Sequence, residues 1–315
     1  MSKDKQITSI DEITSKLFEV GYISNVGLST SIYLLLKLKK PLLLEGEAGV
    51  GKTDLAKSLS TIFKKPLIRL QCYEGLDMSS AAYEWNFAAQ MISIQKGDTE
   101  NIYSKKYLQE RPLLKSIIAN SEKDFPVLLI DEIDRADPPF EAFLLELLSD
   151  WQITIPEIGT IKAKEPPIVI ITSNRTREIH DALKRRCLYH FVDYPDIDQE
   201  LKILQTRVPK IREELSLAII HFVKELRKIE LFKQPGIAET IDWAQAIVEL
   251  NYISINPEVS EYFFLLALHY HALGSYDLAL KTYSDALSLK KEYNDAIRHN
   301  AFLNLLMGNY KKGLE

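Results

Sequence analysis

The chain of 315 residues carries 39 Lys and Arg against 44 Asp and Glu, which gives a formal net charge of −5. This length predicts about two domains, and the acidic excess argues against a protein whose main role is to coat nucleic acid. Hydrophobic residues make up 46% of the chain, which is enough apolar side chain for a folded core and excludes extended disorder.

Cysteine usage and the N-terminus indicate the compartment. Cys72 and Cys187 lie far apart and in no metal-ligand spacing, so neither a disulfide scaffold nor a zinc site is expected and a reducing environment fits. The N-terminus shows no apolar signal-peptide region, and the longest uncharged stretch, residues 20–36, is too polar and too short to span a bilayer. We therefore expect a soluble cytoplasmic protein without a membrane span.

Short runs rich in Leu, Ile and Val alternate with helical patterns over residues 1–195, after two helices expected within residues 10–38. The predicted strands are 41–44, 66–72, 126–130, 167–171 and 188–192, and the predicted helices between them are 52–63, 111–120, 140–148 and 178–184. Runs without strict alternation are typical of strands buried on both faces. The pattern therefore predicts an α/β fold, in which a five-stranded parallel sheet lies between helical layers.

The pattern becomes purely helical after about residue 194. Residues 196–258 show only helical periodicity, which predicts a small helical domain of about three helices. A further helical region follows the Asn256-Pro257 pair. The predicted domains are therefore 1–195, 196–258 and 259–315.

A glycine-rich segment follows the first predicted strand and matches the pattern G-x-x-x-x-G-K-[ST]. Its residues are Gly46, Glu47, Ala48, Gly49, Val50, Gly51, Lys52 and Thr53. Such a loop points successive backbone N–H groups at one phosphate, and the helix after it adds its positive N-terminal end. Lys52 is then placed to reach the β- and γ-phosphates of a nucleotide, and the Thr53 hydroxyl to bind Mg²⁺.

Two adjacent carboxylates follow the predicted strand 126–130. We expect Asp131 to hold Mg²⁺, directly or through water, and Glu132 to act as the general base on the attacking water. The carboxyl end of a parallel strand is where open sheets bind ligands. The alternative is a solvated acidic strand end, which the preceding phosphate loop disfavours.

Two further candidate site positions follow the predicted strand 167–171 and the predicted helix 178–184. Asn174 is placed to hydrogen-bond the γ-phosphate and orient the water, and a plain helix N-cap is the alternative. Arg185 and Arg186 lie just before the fifth strand. One of them, with Arg186 ahead, is expected to reach the γ-phosphate of a neighbouring subunit, and a solvated basic helix end is the alternative.

The chain resembles an AAA+ ATPase in the order of four segments. They are the phosphate loop, the Asp-Glu strand, the Thr-Ser-Asn strand and the Arg-Arg-Cys segment. More narrowly, the chain resembles the MoxR group in segments 131–137, 140–146, 149–161 and 172–178. Within that group it is most similar to the accessory ATPases of carbon monoxide dehydrogenase maturation, in segments 71–77, 83–86 and 236–245. The resemblance extends over residues 10–257.

The resemblance implies an ATP-dependent chaperone that forms a ring, often a hexamer, and acts on a protein client in the assembly of a metal centre or complex. It also implies a partner with a von Willebrand factor A domain. By position, Asn174 becomes the first sensor and Arg186 the arginine finger. Tyr22 and Ile23 match the usual adenine-facing position.

One further segment matches this family, and another departs from it. Residues 153–161 match the hairpin before the first sensor and a partner-contacting surface, and an ordinary edge hairpin is the alternative. Many AAA+ lids place a second sensor arginine at the start of a lid helix, but residues 238–240 contain none. A lid-borne charge on the γ-phosphate is therefore in question.

From residue 260 the sequence resembles a tetratricopeptide repeat. Ala267, Gly274, Tyr276 and Leu280 recur 34 residues later as Ala301, Gly308, Tyr310 and Leu314. This spacing is the period of that repeat, whose expected role is to bind a protein partner. The second repeat ends within its second helix, so we expect it to pack on the lid, pair with another chain or be incomplete. The alternative is that these are the final lid helices.

Three functions are compatible with these sequence patterns. The leading one is an ATP-hydrolysing assembly chaperone, and its rival is a nucleotide-dependent scaffold that hydrolyses slowly or not at all. A nucleic-acid ATPase is disfavoured by the net charge of −5 and the lack of a basic stripe, so no nucleic-acid partner is expected. A GTPase is disfavoured because no Asn-Lys-x-Asp motif is present.

Overall fold

The computed structural model of the chain describes residues 7–97, 102–118, 125–228, 234–249, 259–272 and 274–308. The elements before residue 195 are α1 (Ile10–Glu19), α2 (Val26–Leu38), β1 (Leu42–Glu45), α3 (Lys52–Phe63), β2 (Leu67–Gln71), α4 (Met78–Ala81), β3 (Tyr83–Trp85), α5 (Phe87–Gln95), β4 (Leu108–Glu110), α6 (Pro112–Ile118), β5 (Val127–Asp131), α7 (Pro138–Asp150), β6 (Gln152–Ile155), β7 (Gly159–Lys162), β8 (Ile168–Ser173), α8 (Asp181–Lys184) and β9 (Leu188–Phe191). The later helices are α9 (Ile197–Arg207), α10 (Glu213–Leu226), α11 (Ile237–Glu249), α12 (Val259–Ala272), α13 (Tyr276–Leu289) and α14 (Asn294–Leu306).

Five parallel strands form the central sheet in the order β2-β5-β8-β1-β9. The register aligns the strand ends, since Gln71 pairs with Asp131 and Glu45 pairs with Ser173. The predicted five-stranded parallel sheet is therefore confirmed. Its register brings the carboxyl ends of β1, β2, β5 and β8 to one edge, directly above the glycine-rich loop.

Helices cover both faces of this sheet because its central strands are apolar on both sides. Leu43, Ile130 and Ile171 pack in one buried cluster with residues of α6, α7 and α8. Leu44 and Leu129 point the other way and pack with residues of α1, α2 and α3. Alternate residues of a strand face opposite sides, so three-layer packing follows from uninterrupted Leu, Ile and Val runs.

The edge strands depart from the prediction. Both β2 and β9 were expected to be buried on both faces, but most of their residues are half-buried or exposed. An edge strand has a neighbour on one side only, and the sequence pattern does not show strand order. The expectation is therefore wrong for β2 and β9 and holds for β1, β5 and β8.

The predicted helix over residues 178–184 is shorter in the structure and begins at Asp181. The backbone N–H of Thr176 donates to Asp134 (2.9 Å) and that of His180 donates to Glu141 (2.8 Å). Both carboxylates are buried. These bonds hold the segment before α8 as a loop, so it does not continue the helix.

An insertion between β2 and α6 was not predicted. Here β3 and β4 pair in antiparallel fashion, with Trp85 opposite Leu108, and α5 lies between them in the chain. Strands of three residues have too few positions to show a period, which explains the omission. The separately predicted hairpin over 153–161 is present as β6 and β7, with Ile153 opposite Ile161.

The C-terminal helices pack on the helices before them. Phe222 of α10 and Trp243 of α11 stack with ring centroids 5.5 Å apart, and both lie against a buried cluster that includes Phe264 and Tyr283. This is the first of the three arrangements expected for the region. Gly274 and Gly308, which are 34 residues apart, both have left-handed φ angles, of 73° and 79°.

The tetratricopeptide repeat itself stays a prediction, since Tyr310 and Leu314 lie outside the described residues. The predicted domain border at 258 lies outside them as well. Among the helices that the structure describes, none is both long and apolar enough to cross a membrane.

Candidate nucleotide-binding site

A cavity of about 690 Å³ opens at the carboxyl edge of the sheet. Four parts of the chain line it: the segment before α2, the glycine-rich loop with the start of α3, the ends of β5, β8 and β9, and helices α9 and α11. The predicted site residues that line it are Tyr22, Ile23, Ala48, Gly49, Val50, Gly51, Lys52, Thr53, Asp131, Glu132 and Asn174.

The loop geometry depends on glycine at three positions. Gly49 and Gly51 have φ angles of 80° and 91°, which residues with a side chain rarely adopt, and Gly51 is the N-cap of α3. A Cβ on Gly46 would lie 2.1 Å from the carbonyl oxygen of Val192. The loop thus packs closely against the end of β9 and presents the N-terminus of α3 to the cavity, where an anion is favoured.

Lys52 is buried at this helix start. Its Nζ donates to the carbonyl oxygens of Gly46 (2.7 Å) and Glu47 (2.6 Å). Burial lowers the pKa of Lys52 from 10.5 to about 8, although Asp134 and three other carboxylates act in the opposite direction. The ammonium group therefore lies in an environment that disfavours its charge, and a phosphate would offset that cost.

We expect Lys52→Met to stabilise the nucleotide-free chain at pH 7. The charged lysine costs up to about 3 kcal/mol there, because its folded pKa of about 8 is below its unfolded value of 10.5. As pH rises from 8 to 10.5 the unfolded chain alone keeps the proton, so the wild type gains stability and the advantage of the variant declines. Urea unfolding at pH 7 and pH 10 measures this.

The exposed Lys57 on α3 provides the control, since Lys57→Met removes a charge without relieving burial. Its free energy of unfolding is expected to change little at either pH. Equal destabilisation by Lys52→Met at both pH values would contradict this account of the lysine environment.

Oxygen ligands suited to magnesium lie next to the loop. The hydroxyl groups of Thr53 and Thr172 donate to Oδ1 of the buried Asp131, at 3.0 and 2.6 Å. Hydroxyl and carboxylate oxygens are metal ligands that Mg²⁺ prefers, and both Thr53 and Asp131 line the cavity. The residues present therefore fit this ion. The other oxygen of Asp131, Oδ2, accepts two hydrogen bonds from Arg69.

Glu132 adopts a left-handed backbone conformation, with φ 57° and ψ 52°. Its carboxylate accepts hydrogen bonds from Asn174 Nδ2 (3.3 Å) and Gln71 Nε2 (3.0 Å), and it forms an ion pair with Arg135 (3.0 Å). Its backbone N–H donates to the hydroxyl of Thr172. Glu132 thus lines the cavity, and its carboxylate is already held by three side chains.

Asn174 owes its position to a buried carboxylate. Asp134 accepts from the backbone N–H of Asn174 (3.1 Å) and from the N–H and hydroxyl of Thr176. Burial alone would raise the pKa of Asp134, but these hydrogen bonds outweigh it and the net pKa is lowered. The anionic side chain therefore fixes the loop after β8 and keeps Asn174 beside Glu132.

The two candidate finger arginines lie away from this cavity. Neither Arg185 nor Arg186 is among the described residues that line it. Arg186 is exposed, and its Nη1 donates to the carbonyl oxygen of Leu145 on α7 (3.3 Å). Within one chain, therefore, Arg186 does not line the cavity that Lys52 and Glu132 share.

Residues 22 and 23 and the helices after β9 surround the other end of the cavity. The Tyr22 hydroxyl donates to the carbonyl oxygen of Gly51 (3.4 Å), and burial raises the pKa of Tyr22 above its ordinary value. Arg207 of α9 forms an ion pair with Asp54 of α3. The backbone N–H of Ile237 donates to the carbonyl oxygen of Gly49 (3.0 Å), so the start of α11 touches the loop without an arginine.

Sequence reasoning missed several residues of this site. Arg69, Gln71, Asp134, Arg135 and Arg207 contact predicted site residues or line the cavity. One signal was available on β2, where polar residues stand at positions 69 and 71 of an otherwise apolar run and so share one face. Arg207 carries no such signal, because only the packing of α9 brings it near α3.

The parallel sheet and the glycine-rich loop at its carboxyl edge are those of a P-loop α/β fold. Residues 41–187 match the family model of the AAA domain of the dynein-related subfamily. This match extends from the first strand of the sheet to the residue after Arg186, and it contains the loop, both acids and Asn174.

Relatives and solved structures are similar to this chain at sequence identities below 30%. An uncharacterized protein of Staphylococcus epidermidis is 29% identical over 224 residues, which cover 69% of this chain and 79% of that protein. One of Staphylococcus aureus is 28% identical over 223 residues, with shares of 69% and 78%. A candidate ATPase of Cytophaga hutchinsonii has a TM-score of 0.42 at 17% identity, over 85% of this chain and 70% of that one. A RuvB mutant of Thermotoga maritima has a TM-score of 0.46 at 16% identity, with shares of 79% and 67%.

Proposed function

We propose that this protein binds ATP with Mg²⁺ and hydrolyses it. The observation that carries the proposal is the convergence of Lys52, Thr53, Asp131, Glu132 and Asn174 on one cavity. These residues come from two separate strand ends and one loop, and each has the chemistry that one part of phosphoryl transfer requires.

In the proposed mechanism the loop N–H groups and Lys52 hold the β- and γ-phosphates. Thr53 and Asp131 would hold Mg²⁺, which offsets the negative charge of the phosphates. Glu132 accepts a proton from water as the water oxygen bonds to the γ-phosphorus and the bond to the ADP oxygen breaks. Asn174, fixed by Asp134, orients the water beside Glu132.

We further propose that the active form is a ring of several copies, six in the arrangement that the MoxR resemblance implies. The position of Arg186 outside its own cavity supports this, since a finger arginine would complete the site of a neighbour. The remaining details rest on sequence patterns and resemblance alone. They are a cytoplasmic chaperone role in metal-centre or complex assembly, a protein client, a von Willebrand factor A partner and a protein bound by the C-terminal repeat.

A nucleotide-dependent scaffold remains the second candidate. One observation favours it: the Glu132 carboxylate already has three partners, Gln71, Asn174 and Arg135, and an attacking water would have to share the carboxylate with them. Residues 238–240 also offer no arginine to the phosphates. Such a protein would bind ATP and hydrolyse it slowly.

Steady-state ATP hydrolysis across protein concentration separates the two candidates. A ring ATPase is expected to gain specific activity cooperatively with concentration, because each site needs a neighbour. Sedimentation at the same concentrations should show assembly over the same range. Tight ATP binding with flat, low turnover at every concentration would favour the scaffold instead, and failure to bind ATP would reject both.

A further inference from the structure

A basic side chain contacts the carboxylate that we place at the magnesium ion. Arg69, on the edge strand β2, donates from Nε (3.0 Å) and Nη2 (2.6 Å) to Oδ2 of Asp131. Oδ1 of Asp131 accepts from Thr53 and Thr172. Both carboxylate oxygens therefore have partners, and Oδ2 is paired with the positively charged guanidinium of Arg69.

The two members of this ion pair differ in their freedom to move. The Asp131 side chain is only 4% exposed, whereas that of Arg69 is 53% exposed. A buried carboxylate without a partner is costly, so Asp131 needs a positive or donor group at Oδ2. The long stem of Arg69 allows its guanidinium to turn into solvent at little cost, since β2 lies at the sheet edge.

A second acceptor for Arg69 lies on the same strand. Its Nη2 also donates to Oε1 of Gln71 (2.6 Å). The guanidinium can therefore leave Asp131 and keep a hydrogen bond on the outer side of β2. A divalent cation next to Asp131 would repel the guanidinium strongly, because both are positive and would share one carboxylate in a partly buried site.

We propose that Arg69 is a built-in counter-ion of Asp131 that competes with the divalent cation. It holds Oδ2 when no cation is bound, and it swings towards Gln71 and solvent when a cation binds together with nucleotide. Arg69 thereby weakens cation affinity and keeps the buried carboxylate paired between turnovers. This inference rests on the proposed function, because it assumes that the cation binds at Asp131.

The test measures Mn²⁺ binding, as a spectroscopic stand-in for Mg²⁺, to the full chain with saturating ADP by electron paramagnetic resonance. Arg69→Gln is expected to bind Mn²⁺ about tenfold more tightly than the wild type, since one competing charge is removed. Arg135→Gln is the matched control. It removes an equal charge that pairs with Glu132 and not with Asp131, and its Mn²⁺ affinity should change less than twofold.

Equal tightening by Arg69→Gln and Arg135→Gln would overturn the proposal, because the effect would then come from overall charge. Weaker Mn²⁺ binding by Arg69→Gln would also overturn it and would make Arg69 a residue that positions Asp131. If the wild type with ADP binds no Mn²⁺, the proposed nucleotide site fails, and this inference fails with it.

A second measurement follows the displacement of Arg69 in the wild type itself. The Nε–H signal of Arg69 in ¹⁵N-arginine spectra, assigned by its loss in Arg69→Lys, is expected to move when Mg²⁺ joins the ADP complex. The signal of Arg135 serves as the reference and should move less. An Arg69 signal that stays at the same position at saturating Mg²⁺ would contradict displacement.

Discussion

Replacement of Glu132 by Gln is expected to lower ATP turnover at least about 100-fold while ATP binding changes less than twofold, since a positioned general base contributes about 10²–10⁴-fold. The amide keeps the size of the side chain, so the cavity retains its shape. It cannot accept a proton from water, so the chemical step slows. Turnover by phosphate release and affinity for a fluorescent ATP analogue measure the two effects separately.

The control for this variant is Glu146→Gln, which removes a carboxylate from the exposed side of α7 outside the cavity. Turnover and affinity should both match the wild type. A Glu132→Gln enzyme that still turns over at the wild-type rate would reject Glu132 as the base. Equal loss of ATP binding would show instead that Glu132 acts by holding Gln71, Asn174 and Arg135 in place.

The second large effect is expected for Arg186→Ala. Turnover should fall by about 10³-fold, because an arginine finger stabilises charge on the transferred phosphoryl group. ATP binding should change little, since Arg186 does not line the cavity of its own chain. Arg185→Ala is the matched control and should keep most of the activity, because the resemblance assigns the finger to Arg186.

Mixing two inactive variants tests whether this arginine acts between subunits. Chains with Arg186→Ala keep an intact Glu132, and chains with Glu132→Gln keep an intact Arg186. At some interfaces of a mixed ring, both intact residues meet, so the mixture should recover part of the activity. Recovery would be absent if Arg186 acted within its own chain, and sedimentation of the mixture must show that rings still form.

Much of the site could be predicted from the sequence because its main parts are local. The glycine-rich loop is one continuous segment whose φ angles at Gly49 and Gly51 depend on residue type. Asp131 and Glu132 follow directly after a buried strand. Their meeting with Lys52 and Thr53 follows from the rule that ligands bind at the carboxyl ends of parallel strands.

Some structural features could not be read from local patterns. The exposure of β2 and β9 follows from strand order, which is a property of the whole sheet. The start of α8 at Asp181 depends on bonds to Asp134 and Glu141, which lie about 40 residues earlier. Pairwise contacts at such separations leave no periodic signal in the sequence.

Local sequence patterns were enough to predict the phosphate loop, the two acids that follow β5, the parallel sheet and the helices described after residue 194. Three sets of contacts could be seen in the folded chain alone: Arg69 with Asp131, Gln71, Asn174 and Arg135 with Glu132, and Arg207 of α9 with Asp54 of α3. The two groups of features differ in the sequence separation of the residues that produce them. Loop conformation and hydrophobic runs depend on neighbouring residues, whereas a side-chain network depends on which strands and helices pack side by side.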